Sequence, residues 1–472
     1  PDRHQLLYSL FPEAEVRAAG PPGSTESTSM TSFPEQSELL SNESSDYQET
    51  VILTEGPSSK RLRLDTEAKH LVNSILTMKP GGERIINEYN RLKSLSDETR
   101  RKMVNILVAD MTEKNGTSPH REVKDMYARG IVSLFPNLSD PFSRTGYEHY
   151  YDSYSGTGYL AWRIKTLQRS AARDRRSSFG ASSEGAPRED GLGGPAAKRD
   201  PQFVPETVLS EDECKKAITL IKHSADEDTI KQKMKLTFDF RRNIVLDPEQ
   251  SNNVLSVFPR FKDVKGLVEQ DFVLMFGEDV SGKFLEKWSS TFKKKIIQQC
   301  RRLPSTSELE NLLLAADTSE VDYDIGWDSD LSSILLLLHL IPPSAQGRKR
   351  PGKMSASQAE KHLVVFKTGT NIQEHLDSIT TSSHPYLLAV GRSRKEVHQF
   401  FIVLDKNTIT CRSTSSLGAF DELFKSHYVF GTTYNPMLNN MFTFIQTTLY
   451  NIDVGKVKES PRVAEVRSRL LR

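Results

Sequence analysis

The chain has 472 residues, 36% of them hydrophobic, with 63 Lys and Arg against 62 Asp and Glu, a formal net charge of +1. That balance argues against a polyelectrolyte, so any nucleic-acid binding has to come from a local patch. Three widely spaced cysteines, Cys214, Cys300 and Cys411, with no C-x-x-C pair, argue against a disulfide framework or a cysteine zinc site and suit a reducing compartment.

The low hydrophobic content is unevenly spread. Residues 1–64 are expected to be largely disordered, because residues 21–60 are rich in Ser, Thr, Glu and Pro and bury too little to offset ordering entropy. The segment ends in Lys60-Arg61-Leu62-Arg63. No secretory leader is visible, and the first residue is Pro1, so an upstream start is expected to be missing.

Residues 65–176 read as a helical domain. Thr66 is expected to cap a helix with Leu71, Val72, Ile75 and Leu76, ended by Pro80-Gly81-Gly82. A second helix carries Ile85, Ile86, Tyr89 and Leu92. Ser96 caps a third, with Met103, Val104, Leu107, Val108 and Met111 at the spacing of a buried stripe. Ser118-Pro119 opens a fourth, with Val123, Met126, Tyr127, Ile131 and Val132. An aromatic stretch from Tyr147 to Trp162 then runs into a basic helix end with Arg163, Lys165, Arg169, Arg173, Arg175 and Arg176. Tyr159 and Trp162 are expected in the bundle core, against Val104 or Ile131.

Residues 177–200 are Gly, Ser, Pro and Ala with scattered charges and read as a flexible linker. Residues 201–472 read as an α+β domain. Capping boxes open helices at Ser210 to Glu213 and Ser355 to Gln358. Leu285, Trp288, Phe292, Ile296 and Cys300 mark one long helix. The run from Ile334 to Ile341, broken by His339, falls short of the roughly 20 apolar residues of a membrane span. Tyr386 to Val390, Val397 to Leu404 and Thr408 to Cys411 predict a short antiparallel meander, with Asp405-Lys406-Asn407 as a turn. Helices from Ala419 and Leu438 follow. The fold class is mainly α: a small helical bundle plus a larger α+β region.

Several phrases carry a family likeness. They include Phe258-Pro259-Arg260-Phe261, the stretch from Lys265 to Phe272, Gly347 to Lys353, Pro385 to Gly391, Ser416 to Lys425 and Tyr450 to Gly455. Together they resemble fish proteins named as sterile-alpha-motif-domain-containing protein three-like, outside the motif that names them. Leu134-Phe135-Pro136 and Gly146-Tyr147-Glu148 resemble the part preceding that tail. The resemblance runs from about Lys69 onward and implies no catalytic residue set. The sterile alpha motif itself, a small helical protein-interaction module, is not found upstream of Lys60.

No catalytic pattern stands out. Asp322, Asp324, Asp328 and Asp330 lack the order of a calcium loop, and the plainer account is that Asp328 or Asp330 caps the next helix. His362 and His375 form no H-E-x-x-H pair. Ser416 lacks a G-x-S-x-G elbow and is expected to cap the following helix. The sequence therefore predicts a non-enzymatic intracellular protein-interaction module or scaffold without a cofactor, bound to no membrane, its protein partner unknown. The alternative is a nuclear nucleic-acid-binding protein using residues 147–176; a metal-assisted enzyme built on the aspartates is a distant third. Lys60, Arg61 and Arg63, with Arg348, Lys349 and Arg350, are candidate nuclear-import signals, which puts the nucleus ahead of the cytoplasm.

Overall fold

A computed structural model describes residues 57–176, 193–204, 209–317, 326–343, 355–368, 372–379 and 384–472; for residues 57–60 and 170–176 it describes the backbone alone. The fold is mainly α with one small sheet. No described helix is long and apolar enough to cross a membrane.

Five helices make the first body: α1 (Pro57–Met78), α2 (Gly82–Leu92), α3 (Asp97–Asn115), α4 (Arg121–Leu134) and α5 (Tyr159–Arg176). Their core holds Val72, Ile75, Leu107, Met111, Ile131 and Leu160, the apolar stripes that the 3–4 spacing marks out. Ser96 caps α3 as expected, its side chain accepting from the Thr99 N–H. Three expectations need correction. Helix α1 starts at Pro57, so Lys60 to Arg63 are helical, and Thr66 lies inside the helix with Oγ1 donating to the Leu62 carbonyl at 2.9 Å. Helix α4 starts at Arg121, after His120 rather than at Ser118-Pro119. Trp162 is 43% exposed rather than buried, because α5 spends Leu160, Ala161 and Ile164 on the core and Trp162 points the other way.

The second body contains α6 (Glu211–His223), α7 (Glu227–Leu236), α8 (Phe238–Leu246), α9 (Val254–Val257), α10 (Leu267–Phe276), α11 (Glu278–Lys287), α12 (Lys293–Cys300), α13 (Ser307–Asp317), α14 (Ser329–Leu340), α15 (Ala356–Leu363), α16 (Ile372–Ser378), α17 (Ser416–Val429), α18 (Asn439–Phe444) and α19 (Pro461–Leu471). Both capping boxes form. The long helix expected through Cys300 is interrupted by a π turn at Trp288–Phe292. Helix α17 is the central element, buried along almost its whole length, and Ser415 rather than Ser416 caps it.

The sheet has four strands in the order β1 (Val364–Thr368), β2 (Tyr386–Gly391), β3 (Val397–Leu404) and β4 (Asn407–Thr410). Strands β2 to β4 are the expected meander, with Leu387 opposite Ile402 and Ile402 opposite Ile409. Asp405 and Lys406 turn the last hairpin with φ of 47° and 63°, the left-handed pair that suits strand twist. Strand β1 was not expected; it lies parallel to β2, so the sheet is mixed.

Residues 193–200, expected within the linker, pack on the second body. The Gly194 N–H and Arg199 Nη2 both donate to Asp453 Oδ2 at 2.8 Å.

Candidate protein-docking cleft

Helices α1 and α4 pack backbone to backbone. A Cβ on Gly130 would lie 2.3 Å from the Ala68 carbonyl oxygen and 2.6 Å from Val72 Cγ2, so only glycine permits this approach. At one end of the pair, where the chain leaves α4 at Pro136, an open cleft of about 770 Å³ remains. Arg61, Leu64 and Asp65 form one wall, Arg129 and Val132 the floor, and Arg144 and Tyr147 the other wall. A second recess of about 570 Å³ adjoins it, sharing Leu64 and Arg129 and adding Arg121 and Met126.

Arg129 is the hinge of the site and is already satisfied. It donates to Asp65 Oδ1 at 3.2 Å and to the Tyr147 hydroxyl at 3.2 Å, and that hydroxyl donates to Asp125 at 3.1 Å. Arg61 and Arg144 are both exposed and, among the described residues, neither has a hydrogen-bond or ion-pair partner. Leu64, 47% exposed, and Met126 add apolar surface between the charges. Two guanidiniums without a partner among the described residues, lining one cleft with Leu64, Val132 and Pro136, suit a ligand that is anionic and partly apolar.

The expected site residues scatter. Arg61 lines the cleft. Arg63 pairs with Glu67 at 3.1 Å on the exposed face of α1, and Lys60 lies in the same helix with its side chain outside the described residues. Arg348, Lys349 and Arg350 lie outside them too. On α5, Lys165 and Arg169 are exposed, Arg163 is half-buried, and the side chains of Arg173, Arg175 and Arg176 lie outside the described residues. Sequence reading missed Arg129, Arg144 and the role of Tyr147. Gly130 in the middle of a helix was the one signal of a close helix crossing.

The other polar clusters are closed. Asp328 caps α14 as expected and accepts from Ser416 Oγ at 2.6 Å, while Asp330 pairs with Lys293 at 2.5 Å. Asp322 and Asp324 lie outside the described residues. His375 meets the Tyr386 hydroxyl at 2.9 Å, and His362 faces Asn435. On α17, Lys425 is 1% exposed and lies 2.5 Å from both Glu269 and Asp421, whose carboxyl burial pushes up to about 6. Among the described residues no group of three His, Cys, Asp or Glu is placed to hold a metal ion.

Residues 209–263 match the family model described as Sterile alpha motif domain-containing protein 3, helical domain. The matched segment runs from the Ser210 cap through α9 to the turn at Phe261. It is similar to that family over this stretch, which supports the likeness seen in the sequence. Its anchors are Arg241, bidentate on Asp271 at 2.7 and 2.6 Å, and Arg242, which donates to the Tyr428 and Val429 carbonyls at the end of α17. No curated protein matches the chain, and no solved structure does.

Proposed function

We propose that the chain is a non-enzymatic protein-interaction module whose α1–α4 cleft takes an acidic, partly apolar segment of a partner protein. One observation carries this reading: Arg61 and Arg144 have no hydrogen-bond or ion-pair partner among the described residues, and they line the same cleft as Leu64, Val132 and Pro136. A segment with two carboxylates around an aliphatic residue would gain charge-assisted hydrogen bonds and cover that floor. The match to a domain of a sterile alpha motif protein is compatible with an interaction role. A nuclear location is part of the proposal and rests on the basic runs alone.

The test is selection of displayed random peptides on the immobilised full chain. Selected peptides should be rich in Asp and Glu with an aliphatic residue between. The pair Arg61→Glu and Arg144→Glu should abolish their binding. Peptides without acidic residues, or binding that survives both reversals, would remove the cleft from the account.

A further inference from the structure

We propose a second binding face, on the outer side of α5, that takes single-stranded nucleic acid, with Trp162 stacking on a base and Lys165, Arg169 and Lys124 holding phosphates.

The exposure of Trp162 is the starting point. Its ring is 43% exposed, packs on no other aromatic ring among the described residues, and sits on a helix whose apolar face is already used. At about 100° per residue, Trp162, Lys165 and Arg169 fall within about 60° of one another on the side facing away from the core. The helix sequence carries six Lys and Arg against a single acid, Asp174. Lys165 and Arg169 have no carboxylate partner among the described residues. Lys124 of α4 adds a neighbouring charge: it lies over the Tyr151 ring at 5.1 Å, and burial, then the Lys165 charge, lowers its pKa. The Gln168 amide donates to the Thr117 carbonyl at 2.7 Å and so ties α5 to the start of α4.

Two plainer accounts fall short. Basic residues at a helix C-terminus complement the helix dipole, yet Trp162 and Lys165 lie in the first two turns, at the other end. A bilayer-bound helix needs an apolar stripe facing out, and here Leu160, Ala161 and Ile164 face in. One exposed aromatic ring beside cations that have no carboxylate partner among the described residues matches the stacking platform and charged track of single-strand binders. Duplex DNA offers no free base face to Trp162.

The experiment is fluorescence anisotropy of the full chain with a labelled twenty-nucleotide oligo-dU at 50 to 200 mM salt. Affinity should fall with salt at about −0.7 per phosphate contact. Trp162→Ala should weaken binding by about 5- to 150-fold, and Trp162→Phe should restore most of it. Lys165→Glu with Arg169→Glu should weaken it more than tenfold, and all variants should melt like wild type, since the side chains are exposed. Arg61→Glu with Arg144→Glu should leave oligonucleotide binding unchanged; loss there would move the ligand to the cleft and overturn the proposal. So would equal binding by Trp162→Ala, no binding at 50 mM salt, or binding to phosphatidylserine vesicles with none to the oligonucleotide.

Discussion

The Glu465 carboxylate, on the last helix, accepts a hydrogen bond from the Arg100 guanidinium, 365 residues earlier. Tyr159 donates to the same carboxylate at 2.6 Å, Arg462 at 3.1 Å, and Arg469 to its other oxygen. Helix α19 therefore buries Val463, Val466 and Leu470 in the second core and presents its charges to the bundle. Burial pushes the Glu465 pKa up, but the guanidiniums, Arg100 foremost, outweigh it and hold the carboxyl well below its usual range.

Removing that carboxylate leaves buried guanidiniums without their shared partner. Glu465→Ala should cost about 3–5 kcal/mol, the range for breaking one side of a buried pair. Urea denaturation of the full chain measures it. A loss under 1 kcal/mol would show that the network is solvated and contributes little. The folded pKa is depressed, so this stabilisation is present above the unfolded value near 4.5 and is lost as pH falls below it.

Two buried histidines control stability at a higher pH. Burial pushes His149 down to about 4 and His427 down to about 3, from 6.5, and each has a ring nitrogen without a partner among the described residues. The unfolded chain takes up protons at pH 6.5 that the fold refuses. Each histidine should therefore remove about 1.4 kcal/mol per pH unit as pH drops below 6.5. Asp421, raised to about 6, works the other way below pH 6. His149→Gln and His427→Asn should each flatten the melting profile between pH 7 and pH 5. Profiles parallel to wild type in both variants would count against the assignment.

Close contact between α1 and α4 makes Gly130 irreplaceable. Gly130→Ala puts a methyl 2.3 Å from the Ala68 carbonyl oxygen, and backbone cannot give way as a side chain does. The expected loss is about 1–3 kcal/mol, as for other overpacked sites. An unchanged denaturation midpoint would mean that the helices separate freely here.

How much of this was visible in the sequence depends on which residues carried the signal. Ser96, Ser210 and Ser355 announced their helices because capping is local chemistry. The hairpin from β3 to β4 was equally plain. Strand β1 was hidden because Val364 follows α15 with no intervening breaker. Helix α19 was not foreseen: two of its arginines, Arg462 and Arg467, find carboxylates far off in the chain, at Asp97 and Asp140, and no local pattern announces those pairs. The cleft was out of reach: Arg61 and Arg144 are far apart in sequence, and only the α1–α4 crossing brings them together.

The nuclear proposal has its own test. Changing Lys60, Arg61, Arg63, Arg348, Lys349 and Arg350 to alanine should move a tagged full chain to the cytoplasm. The first cluster lies within α1, so a receptor reading an extended peptide would have to unwind that turn. An unaltered distribution would leave both clusters without a role in import.

Proteolysis separates the sequence view of two bodies from the structural one. The composition of residues 177–192 predicts the first cut there. Gly194 and Arg199 bind Asp453, so cleavage should stop short of Gly193. The two fragments should then stay together, because Arg462 still reaches Asp97 at 2.6 Å, Arg467 reaches Asp140 and Ser468 reaches the Ser139 carbonyl. Gel filtration of the nicked chain should give one peak at the size of the intact protein. Changing Arg462, Glu465, Arg467 and Ser468 together to alanine removes these contacts and the Arg100 pair, and the same nick should then release the bundle as a separate peak. Fragments of the wild-type chain that separate at once would show that the linker alone joined the bodies and that the α19 contacts hold nothing.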